Sequence, residues 1–457
     1  MRLSKDKDIY KRIILLAIPM MLQNLITYSV GLADNLMIGL LGDSAISGVY
    51  MGNQVQTVLQ VLNAGIEGGI LLISAQYWGK KDTKSIQKIT SIGIWFSLIL
   101  GLVLSVITTL MPRQVISIFT NVDAVIDNGV SYLSFLCFSY VFFSLTQALL
   151  ASMRSVESPR IGLIVSVSSL FIDVILNYLL IFGKAGLPAM GVRGAALATL
   201  IARISETVIA FIYVRFVDKK LRFRVGMMRT IDKVLLRDFL KYGAPLVAGQ
   251  LVWGVNLFSN SIILGHLGES VTTAVSIANT LNNLMYVGIN GLAAAVGIVT
   301  GKKVGAGDIG DIREYSNSVQ LIFFVIGLLS AALLFVICDP FISLYDITAE
   351  SAICSRQFIR VLCITAIGTC YQYPCLFGLV KSGGDVSFVF KNDTFAVFCV
   401  VLPLALITAF LGCPAWVVFF CLKSDQIFKC IVAFFKIRRY DWMKNLTTAE
   451  LLMLSKD

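Results

Sequence analysis

Apolar stretches of bilayer-crossing length recur from one end of the chain to the other. A membrane span needs about 20 residues in a helix, because only internal hydrogen bonds can satisfy its backbone away from water. Twelve such spans are expected, near 13–38, 49–78, 91–111, 129–152, 160–182, 192–216, 239–264, 275–301, 315–338, 356–380, 390–411 and 414–436. Lys423, Asp425 and Lys429 interrupt the last. Of the 457 residues only 14% are charged and 57% are hydrophobic, too little charge to cover a soluble protein of this size. The first stretch contains Pro19, Gln23, Asn24 and Asp34 and lacks a small-residue cleavage site, so it is expected to stay as a helix rather than be removed. The chain reads as an all-α integral membrane protein.

The net charge of +11 alternates with each crossing. Basic residues gather at Arg2, Lys5, Lys7, Lys11 and Arg12, in "GKKDTK" at 79–84, and across 215–241. The intervening loops are acidic or short, with Asp43, Asp123, Asp127, Glu269, Asp339, Asp346 and Glu350. This alternation is the positive-inside pattern and predicts both termini in the cytoplasm of a multi-pass plasma-membrane protein. A nucleic-acid surface would concentrate the charge in one domain, and no nucleic-acid partner is expected. Nine of the ten cysteines follow residue 337 without a C-x-x-C pair, which suits packing rather than a disulfide framework. "NLT" at 445–447 matches a glycan acceptor but falls on the cytoplasmic side of this topology.

The chain is a duplication. An offset of 226 pairs Pro19 with Pro245, Gly39 with Gly265, Gly42 with Gly268, Asn53 with Asn279, Gly65 with Gly291 and Gly79 with Gly305. Six spans per copy send both copies into the membrane in the same direction. The expected architecture is two six-helix lobes, 1–214 and 242–457, joined by a basic cytoplasmic linker at 215–241. A pseudo-twofold axis along the membrane normal would relate them, with a substrate cleft at their interface.

Polar stripes interrupt the apolar helices. Asn53, Gln56, Gln60, Asn63 and Glu67 follow a 3, 4, 3, 4 spacing that puts them on one helical face. Asn279, Asn282, Tyr286 and Asn290 keep nearly the same schedule in the second copy. The first span adds Asn24, Tyr28 and Asp34, and its counterpart Gln250, Trp253 and Asn260. Such residues either line a water-filled cavity or tie helices together at about 0.6 kcal/mol each.

An ionised carboxylate in a span costs roughly 2.5–3.5 kcal/mol and marks function by default. Asp173 and Asn177 are four apart, hence on one face of the fifth span, and with Asp34 they would form a cluster able to take a proton or a small hard cation. The second copy has Asn260 opposite Asp34 and Val400 near the place of Asp173, so the acid is expected in one half only. Glu67 suits either a cationic substrate or a neighbouring helix; Arg203 and Glu206 read as a structural ion pair and His266 as a loop residue. No H-E-x-x-H, H-x-x-x-D or Walker-type motif occurs, which argues against an enzyme and against ATP-driven pumping. Transport would then draw on an ion gradient, worth about 2.3 kcal/mol per charge across 100 mV.

"LAIPMMLQNLITYSVGLADNLMIGLLG", "AQYWGKKD", "MRSVESPR", "LNYLLIFG", "GVRGAALAT" and the tail "LKSDQIFK…RRYDWMKNLT" together resemble the signature segments of multidrug and toxic compound extrusion (MATE) transporters of a bacterial branch. The resemblance spans nearly the whole chain. It implies a two-lobed antiporter that expels organic cations against inward H⁺ or Na⁺. By position Asp34 matches the family's first-helix acid, and Asp173 and Asn177 its fifth-helix pair, with Thr199 as a further member of the coupling site. The family often has Asn at the first of that pair, so the acid at Asp173 leaves the ion open between H⁺ and Na⁺. Trp253 and Cys370 stand near positions where some members carry further acids, and coupling through the second lobe is not expected. The reading is a cofactor-free, monomeric secondary antiporter bending at Pro19, with small-molecule substrate and membrane lipids as partners. The alternatives are a flippase or exporter of a lipid-linked or polar metabolite, or a non-transporting receptor or channel.

Overall fold

The computed structural model describes residues 7–223, 225–229, 231–345 and 347–447. Arg2, Lys5 and Asp346 lie outside these residues, as do the side chains of Lys7, Asp43 and Glu269. The described chain is helical: α1 (Lys7–Gly39), α2 (Asp43–Gly79), α3 (Thr83–Leu110), α4 (Asp123–Ser155), α5 (Arg160–Phe182), α6 (Val192–Ile212), α7 (Lys233–Gly265), α8 (Glu269–Ala306), α9 (Ile309–Ile342), α10 (Ala349–Tyr373, continued by the wider turns of Pro374–Val380), α11 (Val386–Phe395 and Leu402–Phe410, joined by a π-helical segment) and α12 (Ala415–Leu422 and Asp425–Arg439).

Among the described residues eleven helices are long and apolar enough to cross a membrane. The twelfth crossing, α12, breaks at Lys423 and Ser424, where the sequence turns polar. Large apolar side chains point outward along the helices, among them Leu36, Leu110, Phe335 and Phe410. In water this would be a liability; lipid is the solvent that accepts it.

The repeat is visible in the turns. Gly42 and Gly268 start α2 and α8 at φ 105° and 118°, a conformation that a side chain resists. Asp82 caps α3 by accepting from the Ser85 amide at 3.2 Å. The helix reads "AQYWGKKD" up to this cap, which is why that segment ends where it does.

Two compact units form, and their boundaries differ from the midpoint of the chain. The first unit is Leu22–Val247; the second holds the residues up to Met21 and those from Ala248 onward. Both α1 and α7 therefore cross from one unit to the other, at places 226 residues apart. Pro19 and Pro245 sit just before the two crossings, where each removes a helical hydrogen bond.

Within the first unit α4 is central, packing on α2, α3 and α6, while α5 packs on α6. Its core includes Ile38, Val49, Leu59, Leu136, Tyr140 and Ala196. In the second unit α10 takes the same place against α8, α9 and α12, around Ile277, Leu281, Phe358 and Phe419. Each unit also carries a strap, after α6 in the first and after α12 in the second. In the first, Lys220 Nζ donates to the carbonyls of Val156 and Glu157 at 2.9 and 2.7 Å. In the second, the Lys444 amide donates to Gly383 O at 2.7 Å and Trp442 is wholly buried.

Candidate functional site

The fifth helix places Asp173 and Asn177 one turn apart on the face that packs on α6, and both are 1% exposed. The last turns of α1 bring Asp34 to the same point. Asn177 Nδ2 donates to Asp34 Oδ1 at 2.7 Å and to Asp173 Oδ2 at 3.2 Å. One amide thus bridges two carboxyl groups, which themselves lie in hydrogen-bonding contact. From α6, the buried Thr199 hydroxyl contacts the Asp173 carboxyl and the phenol of Tyr132 on α4. Tyr132 in turn donates to Asn53 Oδ1 at 3.3 Å, linking the cluster to the polar stripe of α2.

Arg203 donates to both oxygens of Glu206 at 2.9 Å and lies over the Phe143 ring. That pairing uses up the guanidinium's nearest charge, while Asp34 and Asp173 feel it from further away. Three carboxyl groups share one guanidinium, so the cluster can accept a positive charge. Two acceptors in it, Asp173 Oδ1 and Asn177 Oδ1, are buried with no hydrogen-bond donor. Such an orphan acceptor is costly unless a proton or cation reaches it. Among the described residues no group of three His, Cys, Asp or Glu could hold a metal, so a sodium ion here would depend on Asn177 and Thr199 as well as the two acids.

The α2 stripe divides by depth. Asn63 is fully buried and its amide donates to Ser144 Oγ of α4 at 2.9 Å, which makes it a tie between helices. Glu67 pairs with Arg154 at 3.4 Å, and Arg154 also donates to Gln23 at 3.5 Å. Asn53 and Gln56 are half-buried and Gln60 exposed. On α1, Asn24 and Tyr28 are half-buried. In the second unit Gln250, Asn260, Asn282 and Tyr286 are half-buried, while Trp253 and Asn279 are exposed. Asn260, in the place that Asp34 holds in the first copy, has its Oδ1 buried without a donor.

The expectation of acid in one half only is not met. Asp393 on α11 and Asp425 on α12 are both largely buried in the second unit, around Lys429. Asp425 and Lys429 are four apart in the interrupted twelfth span, so the signal was in the sequence as an ion-pair spacing. Tyr132 left no such signal, because an aromatic on a buried helix face is ordinarily core.

A family model described as MatE matches residues 19–179 and again 245–410, one match per copy and more than half of the chain. The chain belongs to the MatE family. Its members are membrane transporters and not enzymes, and this MatE chain is a multi-pass protein of the plasma membrane. It is 26% identical over 362 residues to the probable multidrug resistance protein NorM of Thermotoga maritima, covering 78% of this chain and 76% of that protein. The probable multidrug resistance protein YoeA of Bacillus subtilis is 22% identical over 410 residues, 88% of this chain and 87% of its own. A solved MATE structure in the bent conformation superposes with a TM-score of 0.85 at 20% identity, covering 96% of this chain and 98% of that one. An outward-facing multidrug resistance MATE family transporter of the MOP superfamily gives 0.82 at 21% identity, with the same coverage. The twelve-helix, two-lobed fold of this MatE protein is the one these structures share.

Proposed function

We propose that the protein is a cation-coupled antiporter that exports small organic, cationic or amphiphilic compounds. The relatives' names as multidrug resistance proteins support the substrate class. The observation that carries the coupling is the single amide of Asn177 bridging Asp34 and Asp173 beside two unpartnered buried acceptors. Two carboxylates this close resist joint ionisation, so the cluster holds one proton or cation well and a second poorly. Loading it neutralises the pair; emptying it restores a buried charge, and the difference biases α1, which has a weak point at Pro19. For binding substrate, the first unit offers Asn24, Tyr28, Asn53, Gln56, Gln60 and Glu67, and the second, taken by itself, offers Gln250, Trp253, Asn260, Asn279, Asn282 and Tyr286. With both termini in the cytoplasm, as the charge pattern supports, export runs outward against inward H⁺ or Na⁺.

Asp34→Asn is expected to abolish gradient-driven efflux of ethidium from proteoliposomes while the protein keeps its melting temperature within a few degrees. Full efflux by this variant would refute the coupling. Imposing a proton gradient and a sodium gradient separately on the wild type identifies the ion.

A further inference from the structure

The second unit contains a buried charge cluster with no role in the site above. Lys429 Nζ lies 2.8 Å from Asp393 Oδ1 and 3.1 Å from Asp425 Oδ2, and the three side chains are 9%, 13% and 6% exposed. In contact, then, are two carboxylates and one ammonium. In direct contact one carboxylate is left without a cation, since Lys381 and Lys423 offset it only from a distance, and a positive charge taken up at contact would neutralise it. A metal cation is a poor candidate, since the Lys429 ammonium already occupies the space between the acids.

Other groups face the cluster from every side. Lys381, over the Phe377 ring, acts on Asp393 from a distance, and Lys423, over Phe419, acts on Asp425. Tyr286 of α8 and Tyr373 of α10 meet edge to face beside the two acids, and Cys430 adjoins Asp425.

An independent observation indicates what the ligand is. Gln372 Nε2 donates to Gln426 Oε1 at 2.9 Å, and Gln426 Nε2 donates to both Asp425 oxygens at 2.9 Å. This relay leaves Gln372 Oε1, on a side chain 3% exposed, without a donor. An orphan acceptor one amide away from the Asp425 carboxylate is a partner for a buried water, and water is what carries a proton to a buried acid.

We propose that Asp393, Asp425 and Lys429 form a second proton-exchange site, fed by water along Gln372 and Gln426. A hydronium ion gives its proton to a carboxylate oxygen, which becomes a neutral acid, and water leaves; the contact charge goes from one negative to zero. That this proton is exchanged during transport rests on the antiport reading above, whereas the protonation itself does not.

Infrared difference spectra of the full-length protein in lipid vesicles, recorded across a pH series, test the site without any substrate. A titrating carboxylic-acid band is expected to persist in the Asp34→Asn/Asp173→Asn double variant. It is expected to disappear when Asp393→Asn is added, with Asp425→Asn as the alternative if that protein does not fold. Lys429→Met should move the midpoint of the remaining band upward by about one pH unit or more, because the acids lose their cation. In a merely structural ion triad both acids stay ionised while Lys429 is present, so no such band titrates before Lys429→Met is made. The proposal is overturned if the band vanishes in Asp34→Asn/Asp173→Asn, or if Lys429→Met leaves its midpoint in place. Failure of the antiport reading, seen as efflux by Asp34→Asn, would leave the band unchanged.

Discussion

Gly65 and Gly291 hold the same place in the two copies, and each stands where the first helix of the other copy passes. A Cβ at Gly65 would lie 2.6 Å from the Val247 Cα, and one at Gly291 2.6 Å from Met21 Cγ. Both positions also face backbone, but the approach is closer at Gly65, with Val247 Cα at 2.6 Å against Met21 N at 2.9 Å and Cα at 3.2 Å for Gly291, whose nearest atom is on a flexible side chain. Gly65→Ala should therefore cost about 1–3 kcal/mol of overpacking and lower the melting temperature, and Gly291→Ala should cost less. Equal melting temperatures for the two variants would contradict this. The sequence shows these glycines as a matched pair without giving their reason. The same holds for the candidate site. Asp34 and Asp173 can be read from the sequence because a carboxylate in an apolar helix needs a reason, Asn177 follows from its four-residue spacing to Asp173, and Thr199 entered only through the family resemblance; the structure brings all four together. Asn63 and Glu67 share a helical face with Gln60, yet one is sealed against Ser144 and another is paired with Arg154. Helical spacing gives the face of a side chain but not what packs over it.

At the scale of the element, the strap after α12 is the part least evident beforehand. Trp442 lies over Gly383, where no side chain would fit, and Asp385 takes ion pairs from Lys436 at 2.8 Å and Lys444 at 2.7 Å. Burial works against the Asp385 charge, but the two ammonium groups outweigh it and hold the carboxyl below its usual value. A depressed carboxylate contributes stability above its unfolded pKa of about 3.9 and loses it as pH falls through the folded value. The strap should thus stay protected from protease near neutral pH and become cleavable between residues 440 and 447 under strong acid. Asp385→Asn should expose it already at neutral pH; limited proteolysis with mass spectrometry reads both. The break in α12 belongs to this scale too. Lys423, Asp425 and Lys429 look like a weak span in the sequence, and in the fold the latter two are an ion pair turned inward to Asp393.

At the scale of the molecule, neither half of the sequence contains a whole unit. The first unit needs α7 up to Val247, and the second needs α1 up to Met21. Fragments divided in the basic segment near residue 226 should each be degraded when expressed alone, and should recover a common melting transition when expressed together. A stable, monodisperse fragment of residues 1–226 by size-exclusion chromatography would show that the exchanged half-helix is dispensable.

The sequence alone determined the membrane class, the span count, the duplication and the first-unit acids. Each of these follows from local rules: the length of an apolar run, the cost of a charge in it, and a fixed offset between copies. Tertiary structure decided which unit each half of α1 and α7 joins, which amides are sealed, and that Asp393 meets Lys429 across two helices. Those outcomes depend on which helices touch, and residues far apart in the chain carry no periodic mark of their contact.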